Sequence, residues 1–274
     1  MTRCVVTGHE GFVGSQLITH LQDLGHTCLG IEKDVFKDSM WALKLKEALS
    51  NYNPGAVFHV GACSDTLESD PNYMMVLNYE FTKVLTQWCR SKEVPIIYSS
   101  SAANYGENNT HPSNLYGWSK YAAEDYVNLS RGVSLRYFNV YGPGEQSKGK
   151  MSSIIYQSHV KNSLGEKIRL FPKKPTRDFV YVRDIVSANL FAFKNYNKVR
   201  GDYYEVGTGF SRSFESCLNI MGIPFTYLEE NNIPAGYQFY TCSKPTKWMP
   251  GWKPKYDLKS GIEEYLNFLK GDNT

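Results

Sequence analysis

The chain has 274 residues, 42% hydrophobic and 21% charged, which is enough for one large α/β unit or two unequal lobes around a sizeable core. Thirty basic against 27 acidic residues leave +3, too near neutral for nucleic-acid binding on charge alone, and no apolar run approaches the ~20 residues that span a bilayer. The six cysteines contain no C-x-x-C pair, which points to a reduced, cytoplasmic protein without structural zinc, and Arg3–Gly8 reads as a strand entering a turn, not a secretory signal. Aromatics reach 14%, with 20 Tyr whose use composition leaves open.

In chain order, short β-branched runs alternate with helical patterns. Strands are expected at Cys4–Thr7, Thr27–Glu32, Ala56–Val60, Val94–Ser100 and Val133–Phe138. Helices are expected between them at Gly14–Leu24, Ser39–Ser50, Asn72–Ser91 and Leu115–Ser130. This alternation implies right-handed crossovers and a parallel, doubly wound sheet of the Rossmann type. Beyond Pro143 the pattern loosens into helix Ser152–Ser163, strand Asp178–Val182, helix Asp184–Tyr196, strand Tyr203–Val206 and a closing helix Asp257–Lys270. The expected division is a nucleotide-binding lobe of 1–142 plus about 177–197, and a smaller, irregular substrate lobe of 143–176 and 198–274.

Gly8, Gly11 and Gly14 lie between the first strand and the first helix, where a tight turn, a close backbone approach and free helix N–H groups suit a pyrophosphate. The spacing is G-x-x-G-x-x-G, and Glu10 within it must point away from an anion. Glu32 ends the second strand, where an acid holds the adenosine ribose hydroxyls and repels a 2′-phosphate. That favours NAD over NADP, with Lys33 and Lys37 acting in the opposite sense.

Three Tyr-x-x-x-Lys pairs occur, Tyr79/Lys83, Tyr116/Lys120 and Tyr240/Lys244. Only Tyr116/Lys120 follows a strand ending in hydroxyls, Ser99-Ser100-Ser101, at the carboxyl edge where open α/β sheets bind ligands. Making a phenol a base near neutral pH asks for about three units, or ~4 kcal/mol, which one ammonium at ~4 Å and an effective dielectric of ~20 supplies. Ser101 is then positioned to hold the substrate hydroxyl.

Phosphate loop, strand-end serines and Tyr-x-x-x-Lys in this order resemble the extended short-chain dehydrogenase/reductases that act on nucleotide sugars. The segments Gly61-Ala62-Cys63-Ser64-Asp65-Thr66, Tyr73-Met74-Met75 with Asn78-Tyr79, and Arg136–Pro143 are most similar to the branch that epimerises ADP-heptoses at the exocyclic C6 carbon. Lys148-Gly149, Arg177–Val182, Gly207-Thr208-Gly209 and Gly236-Tyr237-Gln238 continue the likeness along nearly the whole chain.

The resemblance implies transient oxidation to a ketone by tightly bound NAD or NADP, with hydride returned to the other face. It implies two bases, Tyr116 and Lys148. It assigns cofactor contacts to Phe12, Val13, Glu32, Gly61, Ala62, Cys63, Ser64, Asn78, Lys120 and Val140, beside the glycines and Lys33. It assigns substrate contacts to Ser64, Ser101, Asn139, Arg177 and Tyr237, with Lys150, Gln157 and Phe171 on the same side. The implied partner is a nucleotide-diphosphate sugar, and relatives form homo-oligomers through the helices equivalent to Asn72–Ser91 and Leu115–Ser130. Ala102 and Ala103 follow the catalytic hydroxyl where dehydratases and decarboxylases carry acids.

The chain also departs from the pattern. The segment Glu32–Ser39 is short, so a third strand is expected to be vestigial; Lys150 and Gln157 replace a serine and a histidine; and the loop Phe171–Thr176 is trimmed and rich in lysine. A C4 epimerase, a 4-keto reductase and a non-catalytic nucleotide sensor are the alternatives.

Overall fold

Strand β1 (Arg3–Thr7) is buried from Cys4 onward, which is why it reads as a continuous apolar run: it lies inside the sheet with a neighbour on either side. The computed structural model describes residues 1–107, 110–229 and 238–271. Six parallel strands run in the order β2-β1-β3-β4-β5-β9: β2 (Thr27–Ile31), β3 (Ala56–His59), β4 (Ile96–Ser101), β5 (Val133–Tyr137) and β9 (Asp202–Val206) complete the set. One face is covered by α1 (Phe12–Asp23), through Leu17 and Leu21, and by α7 (Val182–Lys194), through Ile185, Ala188 and Ala192. The other carries α2 (Trp41–Tyr52), α4 (Phe81–Ser91) and α5 (Leu115–Leu129), packed through Leu45, Leu49, Leu85, Trp88, Ala123 and Val127.

The second layer is a three-stranded sheet, β10-β8-β6, made of β6 (Asn139–Tyr141), β8 (Thr176–Tyr181) and β10 (Ser211–Ser213). A pair of short strands, β7 (Ile168–Leu170) and β11 (Phe225–Tyr227), lies with α6 (Ile154–Ser163), α9 (Phe214–Met221) and α10 (Leu258–Leu269) around a core of Tyr141, Ile155, Phe179, Tyr181, Ile262 and Tyr265. Tyr98, Tyr141, Tyr181 and Tyr265 are among the largest fully buried side chains, so part of the tyrosine excess is core. The short α3 (Pro71–Met75) and α8 (Tyr196–Val199) complete the α-helices among the described residues, none of which is long and apolar enough to cross a membrane.

Three expectations are corrected. Residues 202–206, assigned to the small lobe, form the edge of the large sheet because Asp202–Val206 pairs with β5, whereas β8, assigned to the large lobe, belongs to the small sheet. The single helix expected over Asn72–Ser91 is divided by a π-helical turn, Val76–Glu80, that turns Asn78 inward. The short elements β6, β7, β10, β11 and α9 have no counterpart in the sequence reading. The trimmed segment after Glu32 forms a 3-10 turn, Lys33–Lys37, and adds no strand: the sheet order ends at β2.

Candidate active site

The glycines of the first turn are dictated by contact. Gly8 has a left-handed φ of +65°, and a Cβ there would lie 2.6 Å from Gly61 Cα; a Cβ on Gly14 would overlap the Gly8 carbonyl oxygen. The first and third strand ends therefore meet backbone to backbone, leaving the mouth above them open. A cleft of about 1150 Å³ lies there, between the carboxyl edge of the large sheet and the small lobe.

A buried relay fixes its floor. The Gly61 N–H donates to Thr7 Oγ1 at 3.0 Å, Thr7 Oγ1 and His59 Nδ1 are 2.7 Å apart, and His59 Nε2 is 2.7 Å from Thr82 Oγ1, which donates to the Asn78 carbonyl at 2.6 Å. With Thr7 accepting from Gly61 and Thr82 donating to Asn78, each satisfied when His59 carries its proton on Nε2, the neutral ring bridges both hydroxyls. Burial and Lys120 hold the His59 pKa down to about 3, so the ring stays neutral. Asn78 closes the other end: its Oδ1 accepts the Cys63 N–H at 2.7 Å, and its Nδ2 donates to the Cys63 carbonyl at 3.0 Å and Ser119 Oγ at 2.9 Å. Asn78 is buried behind the lining of the cleft, where its side chain clamps the Cys63 backbone.

Ser101, Tyr116 and Lys120 converge at the middle of the cleft. Ser101 ends β4 and caps the following 3-10 turn by accepting the Ala103 N–H at 3.1 Å, with Ala102 buried beside it. Asn114 caps α5, accepting the Gly117 N–H at 2.8 Å, and so starts the helix just ahead of Tyr116. The expected depression of the Tyr116 phenol by Lys120 does not appear. Burial raises Tyr116 above its ordinary value despite a hydrogen bond with Ser101, and the same burial lowers Lys120 to about 7 against the opposing pull of Glu124. Desolvation outweighs attraction because Lys120 is only 2% exposed, with Nζ 4.3 Å from the centre of the Tyr98 ring.

Beneath this group Glu124, one turn after Lys120, is wholly buried and accepts from Ser100 Oγ at 2.6 Å, Asn104 Nδ2 at 3.2 Å, and Arg136 through both Nε and Nη2. The Arg136 guanidinium lies between Tyr105 and Tyr203, 4.7 and 3.7 Å from their ring centres.

Lys148 enters from the loop between the lobes, with Nζ 5.7 Å from the Phe12 ring centre; burial lowers it and Glu145 opposes that. Gly11, Phe12, Val13, Glu32, Lys33, Ala62, Cys63, Ser64, Asn139, Val140, Lys150, Gln157, Phe171 and Arg177 also line the cleft, as do Gly8, Gly14 and Gly61. Glu10 is exposed on its rim, and its backbone N–H donates to Glu32. Gln157 spends its amide on loop backbone, donating to the Ser152 carbonyl at 2.7 Å and the Lys150 carbonyl at 3.2 Å. Tyr237 lies outside the described residues. Sequence reasoning missed Thr7, His59, Thr82, Glu124 and Glu145. The available signal was polar side chains at the ends of buried strands and inside helices, which must find partners.

The turn formed by Gly8, Gly14 and Gly61 fits a dinucleotide, because backbone packed this closely sets the N-terminus of α1 at the cleft, with its free N–H groups available to a pyrophosphate. Residues 4–207 match the model of the NAD dependent epimerase/dehydratase family. An ADP-L-glycero-D-manno-heptose-6-epimerase from Brachyspira hyodysenteriae is 32% identical over 315 aligned positions, covering 97% of each chain. The crystal structure of the Helicobacter pylori ADP-L-glycero-D-manno-heptose-6-epimerase superposes with a TM-score of 0.86 at 29% identity, over 98% of this chain and 96% of the other. A Thermotoga maritima UDP-glucose 4-epimerase with UDP-glucose shares the fold, with a TM-score of 0.87 at 24% identity over 98% and 99% of the two chains. Together the family match and the full-length relative establish that the chain belongs to the NAD dependent epimerase/dehydratase family.

Proposed function

We propose that the protein is an epimerase that inverts the exocyclic C6 carbon of an ADP-heptose, with NAD as its resident cofactor. The observation that carries this reading is the 32% identical relative named for that reaction, aligned over 97% of both chains. The convergence of Ser101, Tyr116, Lys120 and Lys148 on one cleft supports it.

When bound, NAD would supply hydride acceptance and return. The phosphate loop, Gly61–Ser64 and Val140 would hold it, with Glu32 at the adenosine ribose and Lys120 near Tyr116. Ser101 would hydrogen-bond the reacting hydroxyl while Tyr116 Oη exchanges its proton. Inversion needs a second proton-transfer group, and Lys148 Nζ, reaching the cleft from a different element, would be that group. Because burial raises Tyr116, its phenolate form depends on positive charge nearby, which protonated Lys120 would provide. Asn139, Phe171, Arg177 and Lys150 would contact the nucleotide sugar, the two cations suiting its diphosphate. Ala102 and Ala103 transfer no proton, which disfavours elimination.

The compartment we propose is the cytoplasm, in keeping with six free cysteines. The assembly we propose is a homo-oligomer formed through α3–α5, where Tyr73 and Trp118 are 45% and 49% exposed.

The test is NMR of the products formed from a panel of ADP-, GDP-, UDP- and dTDP-sugars. The expected result is the C6 epimer of an ADP-heptose without added reductant. Inversion at C4, or stoichiometric consumption of NADH or NADPH, would overturn the reading in favour of a C4 epimerase or a keto-reductase.

A further inference from the structure

Glu32 is held from the phosphate loop. Its Oε1 accepts the Glu10 backbone N–H at 2.8 Å and lies 3.2 Å from His9 Nδ1. Both contacts fall on one oxygen, and no described residue donates to Oε2. Glu32 lines the cleft, so the second oxygen is the one left for a ligand.

The His9 ring has its own seat. It rests over Gly30, two residues before Glu32 on β2, where a Cβ would collide with ring atoms Cγ, Nδ1 and Cδ2. A glycine in mid-strand is otherwise a poor choice, with no side chain to pack, and here it makes room for the imidazole. The two side chains are 29% and 25% exposed, while Nδ1 itself is buried and has no hydrogen-bond partner among the described residues, so Glu32 Oε1 at 3.2 Å is the polar atom it faces.

The surrounding charges are mixed. Lys33 lines the cleft beside Glu32, while Lys37 is turned to Asp34 at 2.9 Å. A carboxylate opposes a ribose 2′-phosphate and an ammonium attracts one. The balance at this end of the cleft therefore depends on whether Glu32 is fixed in place or free to swing toward solvent, leaving Lys33 to act alone.

We propose that His9, seated on Gly30, is a positioning residue that fixes Glu32 at the ribose end of the cleft and so makes the site select a dinucleotide with a free 2′-hydroxyl over its 2′-phosphorylated counterpart. This rests on the reading of Glu32 as the ribose acid. His9 touches no ligand in this scheme and acts only through Glu32.

The experiment uses the whole protein and the variants His9→Phe, Gly30→Ala and Glu32→Ala. Each is exchanged against an equimolar mixture of NAD and NADP and gel-filtered, and the retained dinucleotides are quantified by chromatography. His9→Phe keeps a flat, slightly larger ring over Gly30 and removes both ring nitrogens, Nδ1 among them. We expect the wild type to retain NAD, Glu32→Ala to lose the preference, and both His9→Phe and Gly30→Ala to shift the ratio toward NADP by up to about tenfold, the most that the loss of one polar contact gives. An unchanged ratio in His9→Phe beside a shifted ratio in Glu32→Ala overturns the positioning role and leaves the Glu32 reading standing. An unchanged ratio in Glu32→Ala, or a wild type that retains NADP, overturns both. Should Gly30→Ala fail to fold by circular dichroism, His9→Phe decides alone.

Discussion

Glu145 accepts both the backbone N–H and the hydroxyl of Ser153, at 2.5 and 2.9 Å, and so closes the loop that carries Lys148. The same carboxylate accepts the Gly142 N–H at 3.1 Å and is wholly buried, with its proton affinity raised by that burial. Glu145→Ala leaves these donors unpartnered, and we expect a loss of about 2–4 kcal/mol in urea unfolding together with most of the turnover. Glu145→Gln, which keeps an acceptor, is expected to lose less of each. Equal stability of wild type and Glu145→Ala would show that the loop does not need its clasp.

Tyr116→Phe removes the hydroxyl that meets Ser101 and leaves the ring in place. Turnover is expected to fall by about 10²–10⁴, the usual contribution of a positioned acid–base group. Retained dinucleotide, quantified after gel filtration, is expected to match wild type. Full activity in the variant would remove Tyr116 from the chemistry.

Lys120 gives a pH dependence of stability with a definite sign. Its folded pKa of about 7 lies below the ordinary 10.5, so between these values the unfolded chain binds the extra proton. Stability therefore rises with pH across that window, by at most about 1.4 kcal/mol per unit per group, and the penalty is fully present below about pH 7. Lys148 is lowered too and acts in the same direction. Urea midpoints between pH 7.5 and 9.5 are expected to climb in the wild type and to climb less in Lys120→Met. A wild type that loses stability over this range would contradict the assignment.

Asn78→Ala cuts four side-chain contacts at once, two of them to the Cys63 backbone. We expect weaker dinucleotide retention and a stability loss of about 1–3 kcal/mol, because the partly buried Cys63 N–H and carbonyl lose their partner. Unchanged retention would mean that the Gly61–Cys63 segment holds its shape without the clamp.

The nucleotide lobe was legible in the sequence wherever periodicity and position agreed. Cys4–Thr7, Ala56–His59 and Val133–Tyr137 are buried parallel strands, and their apolar runs say so directly. Ser101 with Tyr116 could be chosen over Tyr79 and Tyr240 because a strand end precedes it. The π-helical turn at Val76–Glu80 was not legible, since its cause is a tertiary demand, the pull of Cys63 on Asn78. Nor were β7, β10 and β11, three residues each, whose pairings are set by partners dozens of residues away. The protonation of Tyr116 and Lys120 depends on how completely the fold excludes water from them, which spacing on a helix does not encode.

The crossing of chain between the two layers bears on how the protein is made. The central sheet ends on a strand that emerges only after residue 202, while its partner Val133–Tyr137 is complete some seventy residues earlier. During synthesis that partner must wait as an uncapped edge, open to mispairing, until the later strand arrives. A fragment ending near Gly142 would carry the phosphate loop, Tyr116 and Lys120 and would still keep that edge exposed. The nucleotide-binding half is thus not a separable module, and dissecting it from the rest is expected to give an aggregating polypeptide.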